Sequence, residues 1–106
     1  EDNNKLQIFP NPFNLSKAND TNENYKDNVS FIFNSDIQSG KIEIFDFNMD
    51  KVNEINCNKN YTFEQNALYC NWDGRNSNNS IVANGVYFCK LSIGNNSYWE
   101  KLILIK

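Results

Sequence analysis

Histidine is absent from this 106-residue chain. Its absence removes a Ser-His-Asp triad, a Cys-His pair and any histidine-ligated zinc or haem. Four glycines, none close to another, leave neither a phosphate-cradling loop nor a dinucleotide fingerprint. Lys and Arg number 10 against 13 Asp and Glu, a net charge of −3. No basic stripe exists, so no nucleic-acid partner is expected. The longest aliphatic run, Leu102–Ile105, is far short of the roughly 20 residues of a membrane-spanning helix, so no transmembrane segment is expected. No targeting segment is visible either. Cys57, Cys70 and Cys89 show no Cys-x-x-Cys spacing. Without histidine, a metal site would have to borrow carboxylates, so no metal and no cofactor is expected. An odd cysteine count permits at most one internal disulfide with one thiol left over. Cys70 and Cys89 lie in strand patterns and read as small apolar core residues. An enzyme is not expected from this inventory.

What is plentiful is aromatic side chains and asparagine. Hydrophobic residues make up 40% of the chain and aromatics 14%. Each buried aromatic removes about 150–250 Å² from water, enough for one core in a chain of this length. Asparagine occurs 22 times. It suits turns and disfavours helix interiors, so many loops and few helices are expected.

Hydrophobic residues alternate with a period of two. Val29, Phe31 and Phe33 share one face, as do Ile42 and Ile44, with Lys41 and Glu43 opposite. Gly40 reads as a turn, Asn48-Met49-Asp50 as a hairpin tip and Lys51–Ile55 as a weaker return strand. Leu68, Cys70 and Trp72 alternate, and a polar loop, Asp73–Asn79, follows. Asn84-Gly85 and Gly94-Asn95-Asn96 mark turns around the strand Val86–Leu91 and the last strand Ser97–Ile105. About seven short strands with regular turns predict an all-β, antiparallel β-sandwich. Ser16–Asp27 reads as a long loop. Residues 1–5 read as a disordered start or linker and 6–106 as the sandwich. The opening Glu1-Asp2-Asn3-Asn4, without Met, is expected of a processed product or a domain of something longer.

Both prolines lie in Ile8-Phe9-Pro10-Asn11-Pro12-Phe13-Asn14. Each fixes φ and extends its predecessor, giving a stiff corner with Phe9 and Phe13 as expected core anchors. This segment resembles the Tyr-Pro-Asn-Pro-Phe-Asn opening of type IX secretion C-terminal sorting domains. Ile42–Asp46 looks like that family's central strand, with Phe47-Asn48-Met49-Asp50 in place of its usual Leu-x-Gly-Arg hairpin, where Asn48 is expected to take glycine's left-handed position. Trp72-Asp73-Gly74-Arg75 and Ala83-Asn84-Gly85-Val86-Tyr87-Phe88 are similar to its Trp-Asp-Gly-Arg and Ala-Ser-Gly-Val-Tyr-Phe blocks. Lys101-Leu102-Ile103-Leu104-Ile105-Lys106 resembles its terminal Lys-hydrophobic-Lys ending. The Trp-Asp-Gly block is also shared with the immunoglobulin-like domain of the flagellar hook-capping protein. The resemblance implies an immunoglobulin-like sandwich that addresses an attached N-terminal cargo to outer-membrane secretion machinery and to the cell surface or medium. It implies Pro10, Asn11, Pro12, Phe13, Trp72, Asp73, Gly74 and Gly85 as structural positions.

Leu102 to Ile105 are apolar on both faces, whereas a half-solvated strand alternates. Such a strand is either buried or covered by a partner, and strand addition by a receptor is one such cover. Lys101, Leu102, Ile103, Leu104, Ile105 and Lys106 are therefore the recognition candidates. Asp73, Asn76 and Asn78 could offer oxygens to calcium, yet turn capping by Asp73 and a positive φ at Gly74 are the expectation. The acidic pairs Glu43/Asp46 and Asp50/Glu54 lack the surroundings of a glycosidase pair. Tyr98-Trp99 suggests a sugar platform, weakened because adjacent strand residues point to opposite faces. A monomeric, non-catalytic sorting module is the expectation. The alternative is a structural or carbohydrate-binding accessory domain.

Overall fold

A computed structural model describes residues 5–15, 28–34, 39–59 and 67–105. The expected loop at 16–27, the first four residues and Lys106 lie outside the described residues. The fold is all-β, with eight strands among the described residues: β1 (Gln7–Phe9), β2 (Phe13–Asn14), β3 (Val29–Asn34), β4 (Ser39–Phe45), β5 (Lys51–Lys59), β6 (Ala67–Trp72), β7 (Gly85–Ile93) and β8 (Asn96–Ile105). The extra strand comes from the double-proline segment, whose kink cuts one extended stretch into β1 and β2.

The strands pair in the order β1-β3-β6-β5-β4-β7-β8-β2. All neighbours are antiparallel except β2 on β8, which is parallel. The expected two layers are therefore one sheet folded over on itself. Among the described residues, β5 and β6 pair at Asn58↔Tyr69 and Lys59↔Leu68. Beside these pairs a disulfide joins Cys57 and Cys70. Cys70, read from sequence as a free core thiol, is thus half of the one disulfide the odd count permits. Cys89 is the leftover thiol, buried in the core.

Period-two alternation places Val29, Phe31 and Phe33 of β3, Leu68 and Trp72 of β6, Ile42 and Ile44 of β4, Leu91 of β7, and Leu102 and Leu104 of β8 inside. The layers meet where Phe33 packs on Tyr98 (4.5 Å between centroids) and Trp72 meets Tyr87 edge-on (6.3 Å).

Three local expectations change. Gly40 lies inside β4 rather than at a turn. A Cβ there would come within 3.1 Å of both the Ile93 side chain and the Ser92 carbonyl, so glycine allows close approach of β4 and β7. Phe9 is 69% exposed; Phe13 anchors the corner as expected, and Leu6 and half-buried Ile8 take the place of Phe9. At the β4–β5 hairpin, Met49 and not Asn48 has positive φ (66°).

Candidate functional site: a covered tail strand and an exposed aromatic face

The double-proline corner acts on the tail strand. Both prolyl bonds, Phe9-Pro10 and Asn11-Pro12, are cis. Between them the Asn11 amide faces the backbone of β8. Its Nδ2 donates to the Lys101 carbonyl (2.8 Å) and its Oδ1 accepts from the Ile103 N–H (3.0 Å). One side chain thus stands in for a residue of a neighbouring strand. β2 continues the cover, with Phe13 beside Leu104 and Asn14 beside Ile105. Asn11→Ala should cost about 1–2 kcal/mol, the net worth of two hydrogen bonds, read as a lowered urea midpoint with an unchanged m-value.

The tail strand is not apolar-exposed on both faces. Leu102 and Leu104 are buried, Ile103 is half-buried, and Ile105 and Lys101 are exposed. Deleting 101–106 would therefore remove core side chains together with any recognition surface. Substitution at Lys101, Ile103 or Ile105 separates the two effects.

The Trp72-Asp73-Gly74-Arg75 block is a structural knot. Trp72 is buried, and its indole N–H donates to the Arg75 carbonyl (2.8 Å), which also accepts from Asn53 Nδ2 (2.8 Å). Asp73 Oδ1 accepts the Arg75 N–H (3.2 Å), and its Oδ2 lies 3.7 Å from Arg75 Nε. Gly74 has φ 80°, the left-handed region that glycine occupies at no steric cost. Gly85 opens β7 with φ 152°.

Two five-residue loops at this end share one geometry. Asp46 Oδ1 accepts the N–H groups of Asn48 (2.9 Å) and Asp50 (3.0 Å). Asn76 Oδ1 accepts those of Asn78 (2.9 Å) and Ser80 (3.0 Å). Each loop carries a positive φ at its fourth residue, Met49 and Asn79. Asn76 thus spends Oδ1 on its own loop, and Asp73 spends both oxygens on Arg75. Among the described residues, no group of three or more His, Cys, Asp and Glu could hold a metal ion. Asp46, Lys51, Asn76 and Tyr87 help line an open groove between the loops.

The acidic pairs read from sequence are not brought together as pairs. Glu43 lies opposite Glu54 across β4 and β5, with Lys51 between them (3.4 and 2.6 Å). The hydrogen bond that the Lys51 ammonium donates to Glu54 holds the Glu54 carboxyl below its ordinary value and raises Lys51.

Burial pushes the Cys89 thiol up to about 12, with the Glu100 carboxylate adding to the effect. Burial and then Asp46 raise Tyr87 as well, and its hydroxyl donates to the Ala83 carbonyl (2.7 Å). Both groups are neutral in the fold, and each ionises more easily once unfolded. Their contribution is complete below the unfolded thiol value of about 8.5 and is lost as pH climbs toward 12. Melting temperature should therefore be flat between about pH 6 and 8 and fall above about 9, and native Cys89 should resist a disulfide reagent at pH 8.

Of the second surface, the sequence singles out Trp99 with Tyr98 but not Phe45, Phe47 or Phe88. Tyr98 turns inward, while Trp99 (48% exposed) lies on the outer face, 5.7 Å from Phe45. Phe88, beside Phe45 in register, faces Phe47, which is 73% exposed. The Lys90 ammonium lies 5.7 Å from the centre of the Trp99 ring. Phe45 and Phe88 occupy the opposite parity to Ile44 and Cys89, and that parity was the available signal.

These features define an all-β domain whose sequence motifs chiefly build its scaffold. The chain is similar in fold to part of PorZ, described as an essential bacterial surface component of the type IX secretion system of Porphyromonas gingivalis: TM-score 0.61, 17% identity, covering 95% of this chain and 11% of that one. It is likewise similar to part of dimeric latent PorU from Porphyromonas gingivalis: TM-score 0.63, 19% identity, covering 96% of this chain and 9% of that one. The chain therefore corresponds to about a tenth of either protein's length. No family model and no curated protein matches it.

Proposed function

We propose that this chain is a non-catalytic sorting domain, carried by an exported protein and recognised by type IX outer-membrane secretion machinery at the bacterial surface. The observation that carries the reading is the order of the sequence blocks, four of which fall on distinct parts of the fold. The double-proline block covers the tail strand, the central block is β4, Trp72–Arg75 is the knot, and the Lys-hydrophobic ending is β8. The likeness to part of a type IX surface component is in keeping with it. So is the cross-strand disulfide, which persists in oxidising compartments outside the cytoplasm. In this role the domain is monomeric, and the chemistry belongs to its cargo.

The test is a reporter enzyme fused ahead of the domain in a bacterium with type IX machinery. The reporter should reach the cell surface or medium with the domain and stay periplasmic without it. Equal export of both, or periplasmic retention of both, overturns the proposal. A second reading, a carbohydrate-binding accessory domain, is favoured by exposed Trp99 beside Phe45. It requires retention on insoluble polysaccharide that is lost in Trp99→Ala.

A further inference from the structure

Among the described residues, the edge of β8 is covered over only part of its length. β7 and β8 join through the two-residue turn Gly94-Asn95, with Ile93 opposite Asn96. In such a hairpin the even-numbered residues of β8 turn their N–H and C=O groups to β7 and the odd-numbered ones turn theirs away. The Asn11 bonds to the Lys101 carbonyl and the Ile103 N–H fit that parity. From the Lys101 carbonyl onward the outward edge is occupied by Asn11 and then by β2. Before that point, Ser97, Trp99 and the Lys101 N–H have no partner on the outward side among the described residues.

This open stretch borders the aromatic face. Trp99 and Phe45 form its apolar part. Register sets Lys90 beside Trp99 and Lys101 beside Phe88. Glu43, next to Lys90 on β4, is held by Lys51. Neither Lys90 nor Lys101 has a carboxylate partner among the described residues. An unpaired ladder lies beside an aromatic ring and two ammonium groups without carboxylate partners among the described residues, and such an edge accepts an extended chain with matching chemistry. The molecule already uses the other half of this edge in that way, for its own β2.

We propose that Ser97–Lys101 of β8 is a strand-addition site for an extended acidic polypeptide segment. The segment sets an apolar side chain on Trp99 and directs carboxylates toward Lys90 and Lys101. This deepens the docking role proposed above and rests on that role only for the identity of the partner.

The test is an NMR titration of the 15N-labelled domain with an octapeptide of alternating valine and glutamate. Its valine–lysine counterpart and a soluble oligosaccharide serve as the other arms. The glutamate peptide should shift the amides of Ser97, Trp99 and Lys101 and move Trp99 emission to the blue. The lysine peptide should bind at least tenfold more weakly. Ser97→Pro removes an outward N–H that β7 does not use, so it should keep the melting temperature and weaken binding at least tenfold. If Ser97→Pro unfolds the domain, Trp99→Glu, on the exposed face, replaces it with the same expected loss. No shift along this edge, equal binding of both peptides, or shifts with the oligosaccharide alone overturn the proposal. Export of a reporter carrying a folded Ser97→Pro domain would remove this edge as the machinery's contact and leave the sorting role standing. Failure of export with the unaltered domain would instead remove the sorting role and leave the peptide titration intact.

Discussion

Trp72→Ala is expected to cost about 3–5 kcal/mol, the range for deleting a buried large aromatic. For a domain of this size that is a fall in melting temperature of more than about 10 °C. The loss has two parts. The ring leaves a hole where β6 faces Tyr87 across the core. The indole N–H also ceases to fix the Arg75 carbonyl, around which the Asp73-Gly74 turn is wound. Trp72→Phe keeps most of the volume and separates the parts. It should cost about 1 kcal/mol, since one hydrogen bond is lost and Asn53 still serves the carbonyl. Thermal melts followed by circular dichroism decide both. An alanine variant within about 1 kcal/mol of the parent would refute the core role of Trp72.

Reduction of Cys57–Cys70, or the double serine variant, should cost about 3 kcal/mol, the chain-entropy value for a loop of this length. The effect should be local as well as global. Among the described residues, the bridge sits beside the two residue pairs that join β5 to β6. Hydrogen exchange at Asn58, Lys59, Leu68 and Tyr69 should therefore accelerate more than exchange along β7 and β8. Thiol counting in denaturant gives the complementary check: one reactive thiol, Cys89, before reduction and three after it. Three before reduction would remove the bridge.

Strand positions were legible wherever one face is buried. β3 coincides with the stretch read from alternation, because Val29, Phe31 and Phe33 all point inward. β5 was read too short, because only Cys57 of its nine residues is buried and alternation fades along it. The role of Asn11 was hidden for a different reason. Side-chain mimicry of a strand leaves no periodic mark, and its partners lie 90 and 92 positions away. Phe9 was misplaced because a proline corner constrains backbone direction but not which flanking ring faces the core. Met49 takes the left-handed position because the Asp46 carboxylate gathers the N–H groups of Asn48 and Asp50 and so fixes the loop around it. The disulfide followed from register, which no count of cysteines supplies.

The parallel join between Phe13–Asn14 and the far end of β8 sets when this domain can finish folding. A ribosome delivers Phe13 long before Leu104, and a closure spanning so much chain is slow and entropically dear. Until β8 emerges, β2 has no strand to lie against, although β1 can already pair with β3. A product cut short before β8 would lose that strand and the footing of β2 together, leaving Phe13 and Asn11 open to proteases. Completeness of synthesis is thereby written into the fold as a condition for survival.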